Sequence, residues 1–438
     1  MTLKLLLFGS ALAAFATTTQ AAPDTFSAKQ PGQLPGAMHS PMQVVPSVTV
    51  GVQTGDFVGS DQRVLQGAVD YVAGLGGGLV IIGPGEFLMR DSLHLRSGVT
   101  VRGTPGQTIL RKARAAISPL AIDGDYGEEQ ITVTNPEGFA VGDGVSIWDF
   151  NAGGFHTTVA RITGQRGNTY SISLPLNSDC MIANGAQTAT IFPVVSGYHL
   201  EGVKIEDLTI EGTKEENIYL TGCRGAGIFL YRCHGAQIDR CTVRNYAGDG
   251  ISFQQCNDVI VQSCVSDGNT CLGLHPGSGS QRPIIRKCIA RNNGDDGLYL
   301  CWRVKEGLFE DNLLEGNARH GISIGHKDTD NLIRRNRVIG NREAGIYFRD
   351  ETVGMAGHRN RIEENVIESN GLEKTEAGIR VEGETNDLLF KANIIRDTRT
   401  GAQHLQNTGI WLGPKVGAVA IEGNQVDATT QIDDQRKK

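Results

Sequence analysis

Residues 297–348 read GLYLCWRVKEGLFEDNLLEGNARHGISIGHKDTDNLIRRNRVIGNREAGIYF. A Gly followed by Ile or Leu opens a short apolar alternation at 297, 321 and 345, and the segments GLFEDNLL and NLIRRNRV lie between them. Working outward, the same opening returns as GIFLY at 227, GISFQ at 250, GLHPG at 273, GIRVE at 378 and GIWLG at 409. Successive spacings are 23, 23, 24, 24, 24, 33 and 31 residues. Self-similarity at this period means stacked repeats. In the second strand of each repeat one column runs Cys241, Cys264, Cys288, Asn312, Asn336, Asn365, Asn393 and Asn424. Another, five residues on, runs Asn269, Asn293, Asn317, Asn341 and Asn370. Asparagines stacked at a turn can bond the next coil through backbone and side chain alike, which satisfies amides a buried turn would orphan. β-branched strands dominate and no repeat carries a helical stretch, so the expected fold class is all-β, a parallel solenoid over 197–428.

The rest of the chain reads as decoration of that solenoid. Lys4, an apolar run from Leu5 to Ala16 and the small residues before Pro23 have the form of a secretory leader over residues 1–22. Residues 23–59 read as an extended linker rich in Pro, Gly, Ser and Gln. From Ser60, Val64, Leu65, Ala68, Val69 and Val72 fall on one helical face, with Ser60 or Asp61 as N-cap and Gly74 to Gly78 as terminator. This helix, with the strands LVIIGPGEFLM, LHLRSGVTVRG and TILRKA, makes 60–124 an N-terminal cap and first coils. Residues 125–196, with hairpin-type turns such as Arg166-Gly167-Asn168, form a small antiparallel β insert. Residues 429–438 are a polar tail.

Composition narrows the function classes. Gly accounts for 57 of 438 residues, and 41 basic against 48 acidic residues give a net charge of −7. With no basic run before the terminal RKK, a nucleic-acid binder is excluded, and no window is long and apolar enough to span a membrane. Nine cysteines in an exported chain suggest disulfides, but their odd number and their place in the repeat columns make them small buried hydrophobes instead. The expected product is a secreted or periplasmic monomer.

The repeat columns resemble those of right-handed parallel β-helix proteins of the pectate-lyase superfamily, over roughly residues 60–428. Alternation places Phe229, Ser252, His275, Tyr299, Ser323, Tyr347, Arg380 and Trp411 outward on the glycine-opened strand, with Trp302, Arg303, His326, Lys327, Asp328, Arg349, Asp350 and Glu351 just beyond. Aromatic faces suit sugar rings, and Arg or Lys suits carboxylates or sulfates. A solenoid face must carry polar residues somewhere, but here the charges concentrate in three consecutive coils.

The segment HKDTDNLIRRNRVIGNREAGIYFRDE, followed by GHRNRIEEN, resembles the chondroitinase-B and alginate-lyase family. The resemblance implies β-elimination of a uronate polymer with Lys327 as base, Arg349 as acid or charge stabiliser, and His326 or Tyr347 as the residue that could replace either. His275, Tyr299, Trp302, Arg303, His320, Arg380 and Trp411 are the expected substrate-binding residues. That family's calcium-binding acids are not matched, since His320 and Ile322 stand in their place, so metal use stays open. NGDDG and RHGISIG resemble polygalacturonase motifs and imply hydrolysis through Asp295, Asp296 and His320, although Cys271 stands where a third acid is expected. A C5-epimerase or a non-catalytic glycan binder would use the same strip, and the residues alone leave these alternatives open.

Overall fold

The computed structural model of the chain describes residues 42, 44–151 and 154–436. The stretch read as a leader and most of the one read as a linker lie outside them. Each coil passes through three short strands, and their stacking makes three parallel sheets of 13, 11 and 11 strands among the described residues. One of the 11-stranded sheets holds the glycine-opened strands, including Ala226–Tyr231, Asp249–Gln254, Leu274–Gly277, Ile322–Ile324, Ile346–Phe348 and Thr408–Leu412. This is the right-handed parallel β-helix with a capping helix and a small antiparallel sheet.

Gly opens these strands because the opposite wall of the coil leaves no room for a side chain. A Cβ on Gly321 would come within 2.2 Å of Val338, and one on Gly345 within 2.5 Å of Ile367. The next residue, Ile or Leu, then points into the core, where Ile228, Ile251, Leu274, Leu298, Ile322, Ile346 and Ile379 stack in line.

Between the other two sheets the chain turns a corner at one residue of positive φ. Arg240, Lys287, Asp311, Arg335, Glu364 and Ala392 all take this conformation, with φ between 52° and 57°. A left-handed L-residue costs roughly 1–2 kcal/mol, and the residue that follows supplies the compensating bonds. Asn336 Oδ1 accepts from both the backbone N–H and the side-chain amide of Asn312 (3.0 and 2.9 Å), while Asn336 donates to Phe309 O and to Asn365 Oδ1. The second ladder, Asn269 to Asn370, bonds in the same way and ends on Gln406. All nine cysteines are free thiols, and Cys241, Cys264 and Cys288 are buried in the first column.

The helix Gln62–Gly74 covers the N-terminal end of the core with Leu65, Ala68, Val69 and Val72, and Asp61 caps it by accepting from Arg63 N (2.9 Å). Within the stretch read as linker, Ser47–Gly51 and Phe57–Val58 are strands that extend the 13-stranded sheet beside the helix. In the stretch read as a tail, Thr430–Asp434 pairs with Thr408–Leu412. The antiparallel sheet has six strands from Ile117 to Ala189 and a core of its own around Ile131, Val145, Ile162 and Tyr170. Lys112 ties it to the solenoid: its buried ammonium donates to Ala113 O and Thr190 O (2.8 and 2.9 Å). Val195–Tyr198 already belongs to the glycine sheet.

The ladder makes a graded prediction. Asn341→Ala deprives Asn317, Leu314 and Asn370 of buried partners and should lower stability by about 3 kcal/mol. Asn424→Ala, at the half-buried last rung, should cost about 1 kcal/mol. Denaturant unfolding of both variants checks this, and equal losses would refute the ladder's role.

Candidate functional site

The outward column is in register across the coils: Tyr299, Ser323, Tyr347, Arg380 and Trp411 are successive lateral neighbours. Its N-terminal part is not open to solvent. Phe229, Ser252 and His275 are 0, 0 and 3% exposed, because the segment between Glu211 and Ala226 folds back over them. Gly222 O accepts from Ser252 Oγ and Gln254 Nε2 (2.8 and 3.3 Å), and Arg224 bonds Phe155 O of the insert. His275, expected to hold substrate, is therefore enclosed. Its Nδ1 meets Asp249 Oδ2 at 2.6 Å and its Nε2 faces Gln254. Sequence reading did not single out this pair, because only a non-repetitive cover brings the two side chains under one roof.

South of the cover the groove opens at Tyr299. Arg349 reaches back across two coils: Nη1 donates to Ser323 Oγ (2.8 Å), and Nη2 to Leu300 O (2.6 Å) and Asp328 Oδ2 (3.1 Å). Its guanidinium lies 4.4 Å from the Tyr299 ring centre. Gly325 makes this path possible, since a Cβ there would sit 2.6 Å from Arg349 Nε. Asp328 is fully buried, and burial pushes its carboxyl up to about 6 against the pull of Arg349 and of the Val304 and Gly325 amides.

The turn after each of these strands carries two residues of positive φ, Trp302 with Arg303 and, one coil on, His326 with Lys327. The Trp302 and His326 rings lie 5.3 Å apart, and Arg303 sits over the indole. His326 Nε2 meets Glu351 Oε1 at 2.7 Å, while Nδ1 is buried without a partner among the described residues. Burial, helped by the charge of Arg349, pushes the imidazole down to about 4, and burial raises the Glu351 carboxyl. Lys327 is exposed, and its ammonium has no carboxylate within 4.0 Å among the described residues; only its backbone N–H is engaged, on Met355 O. The structure thus places Arg349 and His326 in one electrostatic neighbourhood and leaves Lys327 on the rim.

Further along, Tyr347 donates to Glu382 Oε2 (2.9 Å) and stacks on His320 at 4.3 Å; burial and Glu382 push its hydroxyl up to about 12. Arg380 is held by Glu382 (2.6 Å) and lies 4.6 Å over Trp411, beside a cleft of about 210 Å³ lined by Asp350, Glu382 and Lys415. His320 is buried against Glu343 (3.1 Å) and is pushed down to about 3 by that burial. Asp296, also buried, accepts from His320 N, and burial pushes it up to about 7; Asp295 pairs with Arg319. Among the described residues no three His, Cys, Asp or Glu side chains converge as a metal site, and no helix is long and apolar enough to cross a membrane.

Comparison with known proteins agrees with this architecture. A family model described as a right-handed β-helix region matches residues 143–301 and 226–395, together more than half of the chain. No curated protein matches the sequence. Among solved structures, the A-module of the mannuronan C-5 epimerase AlgE4 from Azotobacter vinelandii superposes with a TM-score of 0.52 at 15% identity, over 89% of this chain and 100% of that one. The AlgE6 A-module from the same organism gives 0.51 at 15% identity, over 87% and 96%. An exopolygalacturonase from Thermotoga maritima gives 0.49 at 13% identity, over 89% and 91%.

The burial of His326 yields a direct test. Its ring should remain neutral from pH 8 to pH 5 and titrate near 4, as read from its NMR shifts. A midpoint at or above the ordinary imidazole value of ~6.5 would contradict the enclosed site.

Proposed function

The chain belongs to the right-handed β-helix family, and on that footing we propose that it is an exported enzyme that binds a uronate-containing polysaccharide along the open half of the glycine sheet and removes the proton at C5. The observation that carries this reading is the pairing, on adjacent coils, of a neutral His326–Glu351 dyad with a guanidinium fixed at the floor of the groove.

Abstraction at C5 needs an unprotonated base and a cation for the charge that spreads onto the adjacent carboxylate. A neutral imidazole, oriented by Glu351 through Nε2, meets the first need at ordinary pH through Nδ1, whose enclosure the incoming sugar must open. Arg349 meets the second as a hydrogen-bond donor: although Asp328 pairs with its Nη2, Nε and one Nη1 hydrogen remain unspent. Lys327 and Arg303 have no carboxylate partner among the described residues, unlike Arg349 and Arg380. These two therefore draw and hold the polyanion, with Trp302 and Trp411 as stacking surfaces. Tyr347, protonated well above neutral pH, supplies the proton to the departing O4, which completes β-elimination.

Epimerisation starts with the same step and ends with reprotonation on the other face. The protonated phenol of Tyr347 serves that outcome as well, and the two Azotobacter modules named above are mannuronan C-5 epimerases. An ultraviolet-absorbing unsaturated end group marks elimination, whereas a changed uronate composition without chain scission marks epimerisation.

His326→Ala and Arg349→Ala should each lower kcat by about 100- to 10,000-fold. Lys327→Ala should raise KM about tenfold, equivalent to ~1.4 kcal/mol, while leaving kcat within about threefold, as expected for uniform binding. Assays on polymannuronate, polyguluronate, polygalacturonate and a dermatan-type glycan decide this. Full turnover in His326→Ala together with a dead Lys327→Ala would transfer the base role to the lysine.

A further inference from the structure

At the other end of the glycine sheet, where the antiparallel insert leans against the first coils, lies a cavity of about 350 Å³. Asp91, His94, Arg161, Leu174, Phe192 and Ser196 are among the residues that line it. Three of them form a chain: His94 Nε2 meets Asp91 Oδ2 at 2.9 Å, and His94 Nδ1 meets Ser196 Oγ at 3.3 Å. Leu93–His94 and Val195–Tyr198 are adjacent strands, with Ser196 directly beside His94, so the ladder of the sheet fixes the pairing. Asp91 is 4% exposed and is held from its other side by Arg161 Nε, whose terminal nitrogens have no partner among the described residues.

From this juxtaposition we infer that Ser196, His94 and Asp91 form a second active site, an esterase centre for short acyl groups carried on sugar hydroxyls. A serine, an imidazole and a carboxylate linked in this order make a nucleophile, its base and the group that orients the base, whatever the chain order. The separation of Ser196 from the imidazole is at the long end of hydrogen-bond reach, as is common before substrate arrives.

The surroundings select the substrate class. Both arginines at the cavity are already neutralised, Arg161 by Asp91 and Arg96 by Asp70 at 2.8 Å, so the site does not favour a bare carboxylate. Val159, Leu174 and Phe192 give it apolar walls. Ser196 lines the cavity but is only 1% exposed, so a bulky acyl group is excluded and even a small one must reach the hydroxyl from inside the cavity.

In the first step Ser196 Oγ bonds to the acyl carbon while its proton passes to His94 Nδ1. Arg161 lines the same cavity with its terminal N–H groups unengaged among the described residues, and although Asp91 offsets its net charge these donors are the ones available to the oxygen on which charge develops. The ester C–O bond then breaks, and the sugar oxygen leaves with the proton from His94. Water next adds to the acyl-serine, giving its proton to His94, and the carboxylic acid departs as Ser196 recovers its hydrogen. The hydrogen on His94 Nε2 stays there throughout, donated to Asp91 Oδ2.

The test uses the full chain with 4-nitrophenyl acetate, with an O-acetylated polyuronate and with a fluorophosphonate reagent. Acetate should be released from both esters, and peptide mass mapping should place the phosphonyl adduct on Ser196. Ser196→Ala and His94→Gln should lower acetate release by at least about 100-fold, while turnover of deacetylated uronate polymer stays at the level of the unsubstituted chain. No acetate release, an adduct on another residue, or undiminished release in Ser196→Ala would overturn the inference. Mapping on the unsubstituted chain does not depend on any variant folding. Loss of polyuronate turnover alone, with acetate release intact, would count against the groove chemistry and leave this site standing.

Discussion

An asparagine at the inside of a sharp corner has no water to bond, so its amide must be satisfied by the coil above and the coil below. That constraint sets the whole molecule. Each interior ladder Asn receives two bonds from the preceding coil and its side chain returns two to its neighbours, as at Asn336 and Asn341. A slip of one residue would break all of them at once. The register holds even where the path between rungs lengthens: Asn336 meets Asn365 and Asn370 meets Gln406 although 29 and 36 residues separate them. Extra residues bulge outward as loops, and Tyr347, Arg380 and Trp411 stay aligned on the far face.

That alignment explains what could be read from the sequence. The glycine openings and the two ladder columns are periodic, and periodicity carries fold information without any structure. Direction along the strand follows from alternation, so Tyr299, Ser323, Tyr347, Arg380 and Trp411 were assignable to one column. What covers a column is not periodic. Thr213 to Gly225 has no counterpart in other coils, and its burial of Ser252 and His275 leaves no mark on the repeat. The different settings of Lys327 and Arg349 are illegible for a related reason. Both are near strand ends, but Lys327 follows a left-handed turn that swings it to the rim, whereas Arg349 runs back across Gly325. Some residues of positive φ, such as Asn245, Asn292 and Asp311, are types that favour it, but others, Arg335 and Lys327 among them, carry no propensity signal, since their stacked neighbours impose the conformation.

The electrostatics of the open groove also come from enclosure. Burial moves His326 and His320 down and Asp328 and Asp296 up, each toward its uncharged form. A net charge of −7 opposes the binding of the proposed polyanion at long range, but at physiological salt the screening length is about 8 Å. Carboxylates farther away than that have little say. Within that radius Arg303 and Lys327, which have no carboxylate partner among the described residues, supply the attraction, so it is local and acts on a polymer already aligned with the groove.

One sheet then carries two chemically different regions. Ser196, Phe229, Ser252, His275 and Tyr299 are successive neighbours along the column, so four coil rises of ~4.8 Å separate the serine from the start of the open groove, about 19 Å. That distance is too great for both centres to touch one sugar residue, yet it is short compared with a polysaccharide chain. The covered coils between them act as a partition: Phe229 and the roof over His275 keep a nucleophilic serine away from the arginine-lined floor. On the proposed reading, a charged residue is drawn to the unpaired Lys327 and Arg303, whereas an uncharged acyl substituent is directed to the cavity lined by Leu174 and Phe192. The division of labour follows from which cations already have partners, and those partners are set by the same stacking that closes the ladder.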